Sequence, residues 1–292
     1  MPTNEQRRAT AKRKLERQLE RRAAKERKRR IFLIVGSAAA VILVVAAVVA
    51  AVVLTRDDSD SVNTAATDTT TTSSAAPTAA GTLPAFAAPA GLGDNCQYPA
   101  SPEKASKDVK PPRAGKVPTE PAQVSASMET NQGDIGLMLD NGKSPCTVNS
   151  FASLANQGFF NDTTCHRLTT SESLSVLQCG DPTAEGTGGP GYQFPNEYPT
   201  NQYQPDDPKL AEPVLYPRGT LAMANAGAGT NGSQFFLVYK DSQLAPNYTV
   251  FGTIDETGLA TLDKIAAAGT ADGAADGKPK SDVKITSLLL DP

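Results

Sequence analysis

Residues 221–236 read LAMANAGAGTNGSQFF, an uncharged, polar and glycine-rich stretch held between Leu221–Met223 and Phe235–Phe236. Bulky apolar residues at the two ends suit short buried strands, and the Asn and Gly between them suit a loop. Outward from it the chain keeps the same grain, with short apolar runs separated by Gly, Pro and Asn. From Val124 the pattern is an alternation: Val124, Ala126, Met128 and Thr130, then Asn131-Gln132-Gly133, then Ile135, Leu137 and Leu139. That spacing predicts a strand, a tight turn and a strand with one buried face. Phe151, Leu154 and Ala155 recur at helical spacing within Thr147–Gln157, behind a Pro145 that suits a first turn. Leu259, Leu262, Ile265 and Ala266 place a second helix over Leu259–Ala268, and the closing VKITSLLL, residues 283–290, alternates again. Many short strands with two helices predict a mostly β, largely antiparallel barrel whose ends the helices close.

Composition narrows the chemistry. His166 is the only histidine, so multi-histidine zinc sites fail by counting, and no Walker-type phosphate loop occurs. No metal and no cofactor is expected.

Charge is divided unevenly along the 292 residues. Residues 1–30 hold thirteen of the 28 basic side chains against four acids, whereas residues 57–292 hold 14 basic and 27 acidic ones. Between them IFLIVGSAAAVILVVAAVVAAVVL, residues 31–54, runs 24 positions without a charge. At 1.5 Å per residue such a helix crosses a hydrocarbon core of about 30 Å, and it is longer than the roughly 7–15 apolar residues of a signal peptide. It is expected to span the lipid bilayer of the cell membrane once. The basic block stays cytoplasmic by the positive-inside bias, which leaves residues 57–292 outside. In residues 1–30, Leu15 and Leu19 and the acids Glu16 and Glu20 suit a charged helix. No aromatic residue accompanies those charges, so nucleic acid is not an expected partner.

Residues 55–95 are Thr, Ala, Ser and Pro with few bulky apolar side chains and read as a disordered linker. Residues 96–123 read as a Pro-rich spacer that packs on the domain through Cys96, and the folded unit is expected over 124–292. Cys96, Cys146, Cys165 and Cys179 all fall in the outer part. An even count there suits two disulfides, with four buried thiols as the alternative, and spacing alone does not choose among three pairings.

The stretches CHRL (165–168), LQCGD (177–181), GTGG (186–189), LAMANAG (221–227), TNGSQFF (230–236) and TVFG (249–252) stand together in the order of the cyclophilin family, which residues 124–290 thus resemble. The resemblance implies a closed eight-stranded antiparallel barrel capped by two helices. It also implies peptidyl-prolyl cis–trans isomerase activity on proline-containing polypeptides. Arg167 matches the family's catalytic arginine, Gln178 its active-site glutamine, and Ala224 and Asn225 its contact to the substrate backbone. Gln234 and Phe236 match the wall and floor of the proline pocket, and Leu244 completes the apolar rim.

Departures from the family bear on the site. Arg167 and Gln178 stand further apart than in the family, which implies a short insertion within Thr169–Leu174. Val176 stands where a Met is common and Ser175 where a Phe is common, so Leu174, on the same strand face as Val176, supplies the missing bulk. Tyr248 takes the usual His position and Gln243 the usual Trp position, which implies weak cyclosporin binding. The altered Ser175 and Gln243 motivate an alternative reading, a proline-binding module or holdase with little turnover, against which the retained Arg167 speaks. A second insertion, Pro199–Pro213, reads as an exposed loop. Because the Arg167 and Gln178 strands lie side by side in cyclophilins, the resemblance further favours Cys165 paired with Cys179, leaving Cys96 for Cys146, with Cys146–Cys165 and Cys96–Cys179 as the alternative.

Overall fold

The computed structural model describes residues 81–291. The basic segment 1–30, the apolar run 31–54 and the linker as far as residue 80 lie outside the described residues. Among those described, no helix is long and apolar enough to cross a membrane.

Along them run strands β1 (Gly81–Thr82), β2 (Val124–Thr130), β3 (Ile135–Leu139), β4 (Thr163–Thr164), β5 (Arg167–Thr169), β6 (Val176–Cys179) and β7 (Val214–Tyr216). These are followed by β8 (Thr220–Met223), β9 (Phe235–Val238), β10 (Ser242–Leu244), β11 (Val250–Ile254), β12 (Asp276–Gly277) and β13 (Lys284–Leu290), with helices α1 (Pro145–Asn156) and α2 (Glu256–Ala268). The hairpin of β2 and β3 buries Ala126, Met128, Ile135, Leu137 and Leu139 on one face, as their alternation requires.

Ten strands form one curled sheet in the order β12-β5-β6-β9-β8-β11-β3-β2-β13-β4, and β1-β7-β10 form a small second sheet. This corrects the expected closed eight-stranded barrel, because the ladder stops at β12 and β4. The physical reason lies in residues 163–169, which serve both ends. β4 pairs with β13 and β5 with β6, while between them the Cys165 N–H donates to Val283 O at 2.8 Å and the His166 N–H to Gln178 O at 3.1 Å. A segment crossing from one neighbour to the other cannot pair with either over its full length.

β8 and β9 are buried on both faces and divide the interior in two. Leu221, Met223, Phe235 and Leu237 face the main core, where Phe151 of α1 meets Phe160, Phe235 and Phe251 at ring separations of 5.0, 5.4 and 5.1 Å. Burying one such Phe is worth about 2–3 kcal/mol. The alternate residues Ala222, Phe236 and Val238 face a second cluster with Val176, Tyr198, Val214, Tyr216 and Val250. The period of two thus turns one strand pair into both the wall of the core and the floor of a separate surface.

The helices begin earlier than their apolar stripes suggest. α2 starts at Glu256 because Asp255 caps it, accepting from Gly258 N at 2.7 Å. The same carboxylate accepts from Gly136 N at 3.1 Å, and a Cβ on Gly136 would collide with it. α1 starts at Pro145 with no capping side chain on Ser144. Its first amides are satisfied by the buried Glu197, which accepts from Cys146 N at 3.0 Å, Thr147 N at 2.7 Å and Thr147 Oγ1 at 2.6 Å.

Residues 81–95 depart from the disordered linker that composition suggests. β1 pairs in parallel with β7, Leu83 and Phe86 pack on the second cluster, and Phe86 meets Tyr198 edge-on at 5.6 Å. Tyr198 Oη donates to Pro84 O at 2.8 Å, and Ala87 N to Gln202 Oε1 at 2.9 Å. Backbone hydrogen bonds and two apolar anchors hold the segment, and composition registers neither. Disulfides join Cys96 to Cys146 and Cys165 to Cys179.

Candidate active site

A row of side chains crosses the sheet at the second cluster. Arg167 on β5 lies opposite Gln178 on β6, Gln178 opposite Phe236 on β9, and Phe236 opposite Ala222 on β8. Cross-strand neighbours share a face, so strand register alone brings the guanidinium, the amide and the aromatic floor together. The Cys165–Cys179 disulfide flanks the first two of these positions.

The polar members form a relay. Arg167 Nη1 donates to Gln178 Oε1 at 3.1 Å, Gln178 Nε2 to Gln234 Oε1 at 2.9 Å, and Gln234 Nε2 to the carbonyls of Gly186 and Gly188, both at 3.0 Å. Asp181 fixes that glycine loop by accepting from Gly188 N at 3.0 Å and from Thr183 N at 2.7 Å. Burial works against its ionisation, yet these hydrogen bonds outweigh burial and hold its carboxyl below the usual value.

At the other end of the relay stands Asp276, which the sequence reading did not single out. Its Oδ1 accepts from Arg167 Nε at 2.8 Å and its Oδ2 from Nη2 at 2.7 Å, a two-point pairing. This hydrogen-bonded pair raises the Arg167 pKa and lowers that of Asp276. Both side chains remain open to solvent, at 39% and 54% exposure, so an incoming ligand can reach the guanidinium. Beside it His166 has both ring nitrogens buried without a hydrogen-bond partner, and burial lowers its pKa.

Apolar walls complete the site. Phe236 is buried and meets Tyr248 edge-on at 5.7 Å, and Val176, Leu174, Ala224, Leu244 and Tyr248 pack in the same cluster. Ser175 points away from it: its hydroxyl donates to Ser171 O at 2.9 Å, and its N–H donates to Ser242 Oγ. Gln243 is exposed on β10. Asn225 spends its side-chain amide on the rim, donating to Asn247 O at 2.8 Å and to Asn231 Oδ1 at 3.3 Å. Among the described residues its backbone N–H and C=O have no partner, which leaves them for an extended chain laid alongside.

The Pro199–Pro213 insertion is largely exposed, as expected, but it is seated against the rim. Leu210 O accepts from Asn247 Nδ2 at 2.8 Å, and Pro246 O accepts from Thr200 Oγ1 at 2.7 Å. Immediately after it, β7 pairs with the β10 strand that carries Leu244. A cavity of about 550 Å³ takes in Gln178, Ala224, Asn225 and Gln234, together with Ser101–Lys104 from the spacer. The bonds that reach Asp276 and the spacer span long stretches of chain, and no local motif marks them. Asp181 alone had a signal, its place in LQCGD.

The chain is similar to several known proteins. Residues 125–289 match the family model described as cyclophilin type peptidyl-prolyl cis-trans isomerase/CLD. A Mycobacterium tuberculosis protein named probable peptidyl-prolyl cis-trans isomerase B is 76% identical over 292 residues, covering 100% of this chain and 95% of its own. The Mycobacterium leprae protein of the same name is 70% identical over 295 residues, with 100% of both chains covered. A solved Cryptosporidium parvum cyclophilin type peptidyl-prolyl cis-trans isomerase is 26% identical, covers 58% of this chain and 98% of its own, and has a TM-score of 0.46.

Proposed function

Since the chain belongs to the cyclophilin-type peptidyl-prolyl cis–trans isomerase family, we propose that it turns Xaa-Pro bonds in polypeptides folding outside the cytoplasm, held at the cell membrane by residues 31–54. The family membership carries the activity. The location rests on the uncharged 24-residue run beside a basic block and on two disulfides, which persist in oxidising compartments.

Rotation about a prolyl bond needs no nucleophile and no proton transfer. Its barrier of about 18–20 kcal/mol comes from resonance that draws the nitrogen lone pair into the C–N bond. Arg167 donates a hydrogen bond to the prolyl nitrogen as it turns pyramidal, a contact stronger in the transition state than in the ground state. Three of its five N–H groups are engaged by Asp276 and Gln178, so the remaining two keep a fixed direction. Donors positioned beforehand need no reorganisation during the reaction. Phe236, Val176, Leu174, Leu244 and Tyr248 grip the proline ring, while the open backbone of Asn225 pairs with the residues before it. The bond between these two grips is the one left to twist. An acceleration of about 10⁵ requires roughly 7 kcal/mol from these contacts together.

The reading is tested with a protease-coupled assay on an Xaa-Pro peptide. Arg167→Ala is expected to lower kcat/KM at least about tenfold, equal to 1.4 kcal/mol, with the fold intact; equal activity would remove the arginine from the mechanism. A reporter active only after export, fused behind Pro292, is expected to be active. A silent export reporter beside an active cytoplasmic one would reverse the topology.

A further inference from the structure

We propose that Ser101–Lys104, which lie outside the stretch matching the family model, form a charge-selecting wall of the substrate cleft and read the residues that precede the Xaa-Pro bond. This inference rests on the isomerase reading of the site and specifies its substrate. The 550 Å³ cavity shares Gln178, Ala224, Asn225 and Gln234 with the site, but its lining includes none of Phe236, Leu244 and Tyr248. It therefore continues the cleft away from the proline end, along the open backbone of Asn225. A polypeptide whose proline rests on Phe236 carries its preceding residues into this space.

The spacer is built into the wall. Ser101 N donates to Gly191 O at 3.0 Å, Gln193 N to Pro99 O at 2.9 Å, and Ser106 N to Gly189 O at 2.9 Å. Gly189 N returns a bond to Ser106 Oγ at 3.1 Å. The contact is close enough that a Cβ on Gly191 would stand 2.8 Å from Ala105 N. Upstream, the Cys96–Cys146 disulfide ties the spacer to the head of α1. This segment holds its place as a strand of the fold would.

Glu103 and Lys104 are the only charged residues in the lining; the others are glycines, small or hydroxylated residues, amides, prolines and one tyrosine. Both are exposed, and neither has an ion-pair partner among the described residues. The matched domain supplies the rotation machinery, and the spacer supplies both formal charges in the lining of this cavity. The substrates so selected are extended polypeptides, discriminated by the charge of the residues before Xaa.

The test uses the full chain in detergent micelles and three Xaa-Pro peptides carrying Glu, Lys or a neutral residue at the two positions before Xaa. The quantity read is the ratio of kcat/KM for the Glu peptide to that for the Lys peptide. Lys104→Glu is expected to lower this ratio about threefold, and Glu103→Lys to raise it by a similar factor, the size expected for exposed charge pairs. Both shifts should shrink at about 0.5 M salt. Ratios equal to that of the unaltered chain, or shifts in the same direction for both variants, would overturn the proposal. An unaltered chain inactive on the neutral peptide would instead strike at the isomerase reading.

Discussion

Replacing Asp276 with Ala isolates what the carboxylate does for Arg167. The carboxylate supplies two of the three hydrogen bonds on the guanidinium, and Gln178 supplies the third. With exposures of 39% and 54% the pair is a surface interaction, worth about 0.2–1 kcal/mol to stability, so the fold is expected to survive. Its larger effect is on order. An arginine side chain carries about 2 kcal/mol of rotamer entropy, and with one anchor left about half of that returns. Recovering the productive geometry then costs about 1 kcal/mol, or roughly a fivefold loss in kcat. Because the donor acts as the bond twists, the loss should appear in kcat with KM nearly unchanged. Asp276→Asn keeps an acceptor without the charge and should fall between Ala and the unaltered protein. Progress curves over a range of peptide concentrations, beside a urea unfolding curve for each variant, separate these effects. A kcat for Asp276→Ala equal to that of the unaltered protein would show that the carboxylate merely decorates the surface.

Acid sensitivity should begin with His166. Burial holds its imidazole below the ordinary 6.5, so the folded chain stays neutral there while the unfolded chain takes up a proton; stability is intact above pH 6.5 and declines as pH falls below it. His166→Asn should flatten the urea midpoint between about pH 7 and 5.5, and an equal slope in both proteins would exclude the histidine as the cause. Removing the Cys96–Cys146 link by Cys96→Ser with Cys146→Ser opens a 50-residue loop and should cost about 4 kcal/mol in the chain-entropy model, read by denaturant unfolding. An unchanged midpoint would mean that the spacer holds without it. Gln243→Trp adds an aromatic surface at an exposed position and should tighten cyclosporin inhibition about tenfold, or 1.4 kcal/mol; tight inhibition of the unaltered protein would show that the missing Trp does not matter.

How much could be read in advance depended on the range of the interaction. The β2–β3 hairpin was legible because Val124–Leu139 alternates over a long enough run and its turn is local. β5 and β6 hold three and four residues, too few for periodicity, and only the family resemblance pairs Arg167 with Gln178. The cap on α1 comes from Glu197, 50 residues beyond Thr147, and the partner of Arg167 comes from Asp276, 109 residues on. Neither carboxylate stands in a local pattern that would mark it. Residues 81–95 were misread for a related reason: Leu83 and Phe86 are sparse in a run of Ala and Pro, yet two anchors and a strand edge suffice to seat them.

The pairing of β2 with β13 sets a timetable for the newborn chain. Thr130 lies opposite Ile285 and Ala126 opposite Leu290, so the hairpin that opens the sheet is not covered on that side until more than 150 further residues have been made. At about 5–20 residues per second that is a wait of roughly ten to thirty seconds. During it the buried faces of Ala126 and Met128 have only their local partner β3, and an exposed strand edge invites pairing with other chains. The sheet can therefore be completed only after synthesis has passed its final strand. Loss of a few residues from β13 should be felt across the whole fold, whereas a nick in the exposed 199–213 loop leaves every strand of the large sheet in place.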